Sequence, residues 1–300
     1  MAQERLTKDQ RREQAREIAR LEREERQKAQ RRNGILIRVG ATVAIVGVLA
    51  AVGWGIWAGT RPAGPGPVNM ASDGILFTGT DDGSIEAVQT GAVQADGTPI
   101  PTDPDAYDVP ARIVTYIDYG CPYCNQFETT NASQINDLVS AGYATLEVHP
   151  IAILDRAFLG TEYSTRAANA MACVAVSKPE TFLDASAALF ASQPAEQTEG
   201  LSDDEIRTIL DSAGALTDEV SACISDKRYA GWVKAATERA TNDPELANPT
   251  SGSFGTPTVL VNGVRYEGAV DDTAAFASFV AQNADFGDTS TPTPTPTPTP

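Results

Sequence analysis

Arg112-Ile113-Val114-Thr115-Tyr116-Ile117-Asp118-Tyr119-Gly120-Cys121-Pro122-Tyr123-Cys124 is the stretch on which the fold turns. Its first six residues are mostly apolar or β-branched, the composition of a buried strand. Beyond it, Asn125 to Val139 carries Phe127, Ile135, Leu138 and Val139 at spacings that read as a helical face. A strand that turns straight into a helix sets Cys121 at the helix N-terminus, where unpaired N–H groups and the helix dipole favour a thiolate. A lowered thiol pKa makes a cysteine both a nucleophile and a good leaving group. Cys121 and Cys124 are therefore the candidate catalytic pair. The competing reading is half of a zinc site, but no second Cys-x-x-Cys occurs and His149 is the sole histidine. No metal is predicted.

The N-terminal region gives an address. Val39 to Ala58 is twenty residues without a charge, and Ile35 to Ala58 is interrupted only by Arg38. At about 1.5 Å per residue the uncharged run spans roughly 30 Å, one hydrocarbon core. Trp54 and Trp57 sit near its far end, as interfacial aromatics do. Residues 35–58 thus read as an uncleaved transmembrane anchor. A cleavable signal peptide is the alternative, with Ala50-Ala51-Val52-Gly53 as a weak cleavage site. Residues 1–34 hold eleven Lys or Arg against seven Asp or Glu, and Arg31, Arg32 and Arg38 crowd the membrane boundary. That asymmetry puts the N-terminus in the cytoplasm and the remainder outside, a single-pass cell-membrane protein. From Gly59 onward there are eleven basic and 33 acidic residues. So acidic an ectodomain is a poor partner for nucleic acid or anionic lipid.

Composition divides the rest. Residues 1–34 form a solvated charged helix with pairs such as Glu4–Lys8 and Glu22–Arg26. Residues 59–70 are a Pro/Gly linker, 71–288 the working domain, and 289–300 a Thr-Pro tail that cannot build a core. Within the domain, Ile75-Leu76-Phe77 and Ile85-Glu86-Ala87-Val88 flank Asp81-Asp82-Gly83 as a hairpin. Ala144 to Leu154 is a second core strand and its exit, and residues 161–242 read as wholly helical, with a capping box at Ser202 and Glu205. Thr258-Val259-Leu260-Val261, the Asn262-Gly263 turn, Val264 to Tyr266 and a helix over Asp271 to Gln282 complete the order β-α-β, helical block, β-β-α. Cys173 and Cys223 lie in alanine-rich helical stretches, in a compartment that permits disulfides. They read as a structural disulfide closing a loop of about 50 residues; two buried free thiols are the alternative.

Taken together, Asp118 to Cys124, the helical block (about 160–245), and Gly255-Thr256-Pro257-Thr258 before Val-Leu-Val-Asn-Gly resemble the DsbA-type branch of the thioredoxin superfamily, over about Ile75 to Asn283. The resemblance implies an α/β thioredoxin fold with a helical insertion, preceded here by the transmembrane helix. It implies that Cys121 is an exposed nucleophile and Cys124 its buried resolving thiol. Pro257 would be a cis proline facing them, with Thr256, Pro122 and Tyr123 meeting the substrate chain. The activity implied is thiol:disulfide exchange without a bound cofactor. Its partners would be reduced, unfolded exported proteins and a membrane reoxidase, DsbB-like or vitamin K epoxide reductase-like. The same fold serves disulfide reductases and isomerases, and a non-catalytic binding module is a further alternative. Two features depart from the pattern. The buried acid often found six residues before the first cysteine is Thr115 here, with Asp118 and Glu147 the nearby candidates for its role and a solvated strand-end residue the alternative for Asp118, neither assigned as catalytic; and Pro-Tyr between the cysteines is typical of glutaredoxins. The lone His149 reads as a satisfied structural group. The leader, acidic ectodomain and tail resemble exported proteins of high-GC Gram-positive bacteria, an actinobacterial type.

Overall fold

The computed structural model describes residues 64–95 and 97–286. The charged leader, the expected anchor over 35–58, residues 59–63 of the linker and the Thr-Pro tail lie outside the described residues. Among the described residues no helix is long and apolar enough to cross a membrane.

The hairpin is β1 (Ile75–Gly79) and β2 (Ile85–Ala87), closed by the Thr80 N–H on the Ser84 carbonyl and by Gly83 at φ +81°. The β-α-β unit follows as β3 (Ala111–Ile117), α1 (Pro122–Ser140) and β4 (Ala144–Pro150). The helical block comprises α2 (Tyr163–Ser177), α3 (Phe182–Ala191), α4 (Asp203–Ser212), α5 (Asp218–Ser225) and α6 (Ala230–Asn242). The chain then returns through β5 (Thr258–Val261), β6 (Val264–Arg265) and α7 (Thr273–Asn283). Six strands form one sheet in the order β2-β1-β4-β3-β5-β6, parallel only between β3 and β4.

Alternation along β3 separates two packing faces. Ile113 and Ile117 join Phe127 of α1 in the main core, whereas Tyr116 packs with Ala240 and Leu246 in a smaller cluster. Helix α1 and the end of α6 therefore cover opposite sides of the sheet. The block is not helical throughout. Residues 192–202 form a loop containing Pro194 and Gly200, and Gly214 at φ +68° separates α4 from α5, because a left-handed residue ends a helix. The capping box at Ser202 and Glu205 opens α4.

The domain begins earlier than the linker composition suggests. Met70 is fully buried, Asn69 donates to the Ala175 carbonyl, and a Cβ on Gly66 would stand 2.8 Å from the Trp232 ring. Pro and Gly give a flexible segment only where nothing packs on them; here Gly66 is the residue that lets the backbone approach Trp232 closely.

Helix α2 is buried along nearly its whole length, and its alanines let α5 and α6 lie close. Cys173 of α2 is bonded to Cys223 of α5, with Cα atoms 5.9 Å apart and 50 positions between them in sequence. A cross-link closing a loop of that length restricts the unfolded chain by about 4 kcal/mol. Replacing both cysteines by alanine should lower the denaturant-unfolding free energy by about that amount. A loss under about 1 kcal/mol would show that the helical block is held by packing alone.

Candidate functional site

The site is assembled by the meeting of two segments far apart in sequence. Thr258 of β5 pairs with Tyr116 of β3, so the antiparallel chain before it runs back past the end of β3 toward Cys121. The Thr256–Pro257 bond is cis. The Cys121 thiol donates to the Thr256 carbonyl at 3.4 Å across 135 positions of sequence.

Cys121 is the N-cap of α1, Pro122 stands in its first turn, and no side chain caps the helix. Pro122 costs nothing there, since a first-turn N–H has no helical partner. Both cysteines are free thiols. Cys124 is fully buried, and Cys121 is itself only 4% exposed, not the open nucleophile the resemblance implies. The Thr256 carbonyl lies against its sulfur. Pro122 and Tyr123 do face solvent, Tyr123 at 64% exposure.

The two thiols are driven apart electrostatically. The Cys121 pKa falls from the ordinary 9 to about 6. Its chief cause is the hydrogen bond from the Cys124 thiol; burial opposes it, and the Thr256 side chain and the N–H groups of Cys124 and Tyr123 assist. The Thr256 hydroxyl is buried and makes no other hydrogen bond, which leaves it as a donor for the thiolate. Cys124 moves the other way, well above its ordinary value, first through burial and then through the neighbouring sulfur. One thiol ionises and the other keeps its proton, the asymmetry that thiol exchange requires.

Asp118 organises the turn. It is fully buried rather than a solvated strand end, and its carboxylate accepts the N–H of Gly120 at 2.8 Å and of Leu154 at 2.9 Å. Its own N–H rests on the Cys124 sulfur at 3.4 Å, and its carbonyl accepts the Cys121 N–H. Burial pushes its carboxyl up to about 6 despite those donors. Gly120 is required by close approach, since a Cβ would stand 2.5 Å from the Phe158 ring. His149 lies elsewhere. Its Nε2 pairs with Glu147 Oε1 at 3.1 Å, and its ring stacks on Tyr116, on the sheet face away from α1. Among the described residues, no group of three or more His, Cys, Asp or Glu is placed to hold a metal ion.

Alkylation of Cys121 should follow its thiolate fraction, with a midpoint near pH 6 and a plateau above. Cys124→Ala should raise that midpoint most, since it removes the chief stabilising bond, and Thr256→Val should raise it less. A wild-type midpoint near 8.5, that of an ordinary cysteine, would contradict the assigned geometry.

The chain matches the family model described as Thioredoxin over residues 103–280, more than half its length. Among solved structures it is similar to oxidised BdbD from Bacillus subtilis, with 18% identity and a TM-score of 0.50 over 74% of this chain and 98% of that one, a likeness of fold. It is also similar to reduced DsbA from Mycobacterium tuberculosis, at 25% identity and TM-score 0.49 over 70% of this chain and 99% of that one. Reduced DsbG from the same organism shares 28% identity, with TM-score 0.47 over 61% of this chain and 89% of that one. No curated protein matches the chain significantly in sequence. With a family model covering the central strands, the cysteine pair, the helical insertion and the returning β-β-α unit, the chain belongs to the thioredoxin family.

Proposed function

We propose that the protein is a membrane-anchored extracytoplasmic thiol:disulfide oxidoreductase that donates disulfides to exported proteins. The observation that carries this reading is the geometry of the pair, Cys121 at the N-terminus of α1 against the Thr256 carbonyl with Cys124 fully buried behind it, which lowers the Cys121 thiol to about 6 and raises that of Cys124. A site that stabilises the thiolate stabilises the reduced form, and so makes the disulfide a stronger oxidant.

In the oxidised enzyme, a substrate thiolate attacks the Cys121 sulfur. The Cys121–Cys124 bond breaks and Cys124 leaves with the electron pair, taking up a proton. A second substrate thiolate then attacks the substrate sulfur of the mixed disulfide. The substrate disulfide forms, Cys121 departs as a thiolate, and the enzyme holds the two electrons. Thr256 and Pro257, with Tyr123 and Pro122 on the open side, form the surface that receives the substrate. Thr256, Pro257, Phe254 and Ser253 line a groove of about 400 Å³ beside it, suited to an extended chain.

The uncharged run over 39–58 and the basic residues before it support the anchor and its orientation. Tethering would hold the enzyme in the plane of a membrane reoxidase, of DsbB-like or vitamin K epoxide reductase-like kind, and raise their effective concentration. No further cofactor enters these steps, because the reoxidase takes the electrons. The acidic ectodomain and the composition of the leader and tail support an actinobacterial setting.

The test is the reduction potential of Cys121–Cys124, measured on the full-length protein equilibrated against glutathione. A value near about −120 mV supports the disulfide donor. One near about −270 mV, as for thioredoxin, would make the protein an electron-fed reductase. Cys121→Ser should abolish oxidation of a reduced substrate protein while the fold persists. Full function in that variant would leave only a binding module.

A further inference from the structure

One side chain of the helical block reaches the redox loop without touching either sulfur. Gln193 follows α3, and its backbone N–H is held by the Phe190 carbonyl at 3.1 Å. Its Nε2 donates to the Tyr119 carbonyl at 2.9 Å and to the Cys121 carbonyl at 3.0 Å. Its Oε1 accepts from Asn125 Nδ2 at 3.2 Å, and that same nitrogen donates to the Phe190 carbonyl at 2.7 Å. Carbonyl oxygens only accept, so the orientations of both amides are fixed by their partners. All the hydrogens and the oxygen of the Gln193 amide are spoken for.

The two carbonyls it grips bracket Gly120, the residue with the least resistance to backbone rotation. They fix the peptide planes on both sides of the Gly120–Cys121 pair, and thereby the direction of the Cys121 Cα–Cβ bond. That direction decides whether the sulfur meets the N–H groups of Tyr123 and Cys124 at the start of α1. No side chain caps this helix; the Cys121 carbonyl also accepts the Asn125 N–H of the first turn at 3.1 Å, whereas the Tyr119 carbonyl is gripped from the helical block by Gln193. Asp118 holds the Gly120 N–H from the other side. The loop is pinned by a carboxylate at its donor and by an amide at its acceptors.

We propose that Gln193 is a positioning residue for the Cys121 thiolate, clamping the Tyr119 and Cys121 carbonyls so that the sulfur stays against the N–H groups that favour its ionised form. The inference rests on Cys121 being the reacting thiolate. It makes the helical insertion part of the redox centre, because a shift of the end of α3 would move the clamp.

The test is the pH profile of Cys121 alkylation, read by mass spectrometry on the full-length protein. Gln193→Met keeps the chain length and removes all three hydrogen bonds. Its midpoint should rise, slowing the reaction about threefold or more at pH 6 and leaving it within about twofold at pH 9.5, where both proteins are ionised. Asp203→Ala breaks the Arg166 ion pair of the same block, 2.8 Å in length, and should leave the profile in place. Should Gln193→Met fail to fold, Gln193→Asn is read in the same way, since the shorter amide cannot span both carbonyls. A profile coincident with wild type, or an equal loss at both pH values, overturns the clamp while the thiolate reading stands. A wild-type midpoint near 8.5 overturns both.

Discussion

The antiparallel pairing of β5 with β3 is the constraint on which the redox centre depends. Because Thr258 lies opposite Tyr116, the residues before β5 must pass the end of β3, where the turn to Cys121 begins. A slip of one residue would exchange the faces of β5, sending Val259 and Val261 out of the core and withdrawing Thr256 from the sulfur. Burial of those valines against Ile113 holds the register from the inside. Asn262 holds it from the far end. Its Oδ1 accepts the Arg112 N–H, and its Nδ2 bonds the carbonyls of Pro110 and Asn283. A residue that reads as a turn former is also the bolt between the sheet and α7.

Within that frame, the chemistry comes from unequal treatment of two neighbouring thiols. Both are buried, so burial alone would raise both pKa values. Cys121 escapes because two separate segments supply donors: the first turn of α1, through the Cys124 thiol and the N–H groups of Cys124 and Tyr123, and the Thr256 loop. Cys124 receives only the Asp118 N–H, and it faces the charge of its partner. Asp118 is the cost of the arrangement, a carboxylate kept from water whose pKa is raised to about 6. Its folded value lies above its unfolded one. The stability lost by burying it ionised is therefore present above pH 6 and recovered as pH falls toward 4.

Much of this was legible in the sequence, for local reasons. The strand, the cysteine motif, the hairpins and the Ser202 cap are each written in a few adjacent residues. The element order and the resemblance then fixed which distant segments had to meet. What sequence could not supply was set by tertiary contact. Gly66 to Met70 reads as linker because composition does not reveal that Trp232 waits for a glycine. Asp118 could be read as a buried acid or as a solvated strand end, because nothing local announces that Gly120 and Leu154 will turn their N–H groups toward it. Gln193 has no signal at all: a glutamine after an alanine-rich helix is ordinary until two carbonyls 74 and 72 positions away are laid against it. The leader, the proposed anchor and the tail lie outside the described residues and rest on the sequence reading alone.

The origin of the donors bears on what tunes such a pair. The two residues between the cysteines look like the natural setting for redox poise, and Pro-Tyr is their identity here. Yet Tyr123 points to solvent, and its contribution to the thiolate is a backbone N–H that any residue except proline would offer. Pro122 acts by starting the helix. The groups that reach the sulfur through side chains are Cys124 and Thr256, and the groups that orient it are Asp118 and Gln193, none of them between the cysteines. The ionisation of Cys121 is thus set by the assembled loop, the helical insertion and the Thr256 turn. The dipeptide is left free to serve as surface, and residues such as Tyr123 can vary to suit a partner without disturbing the ionisation behind them.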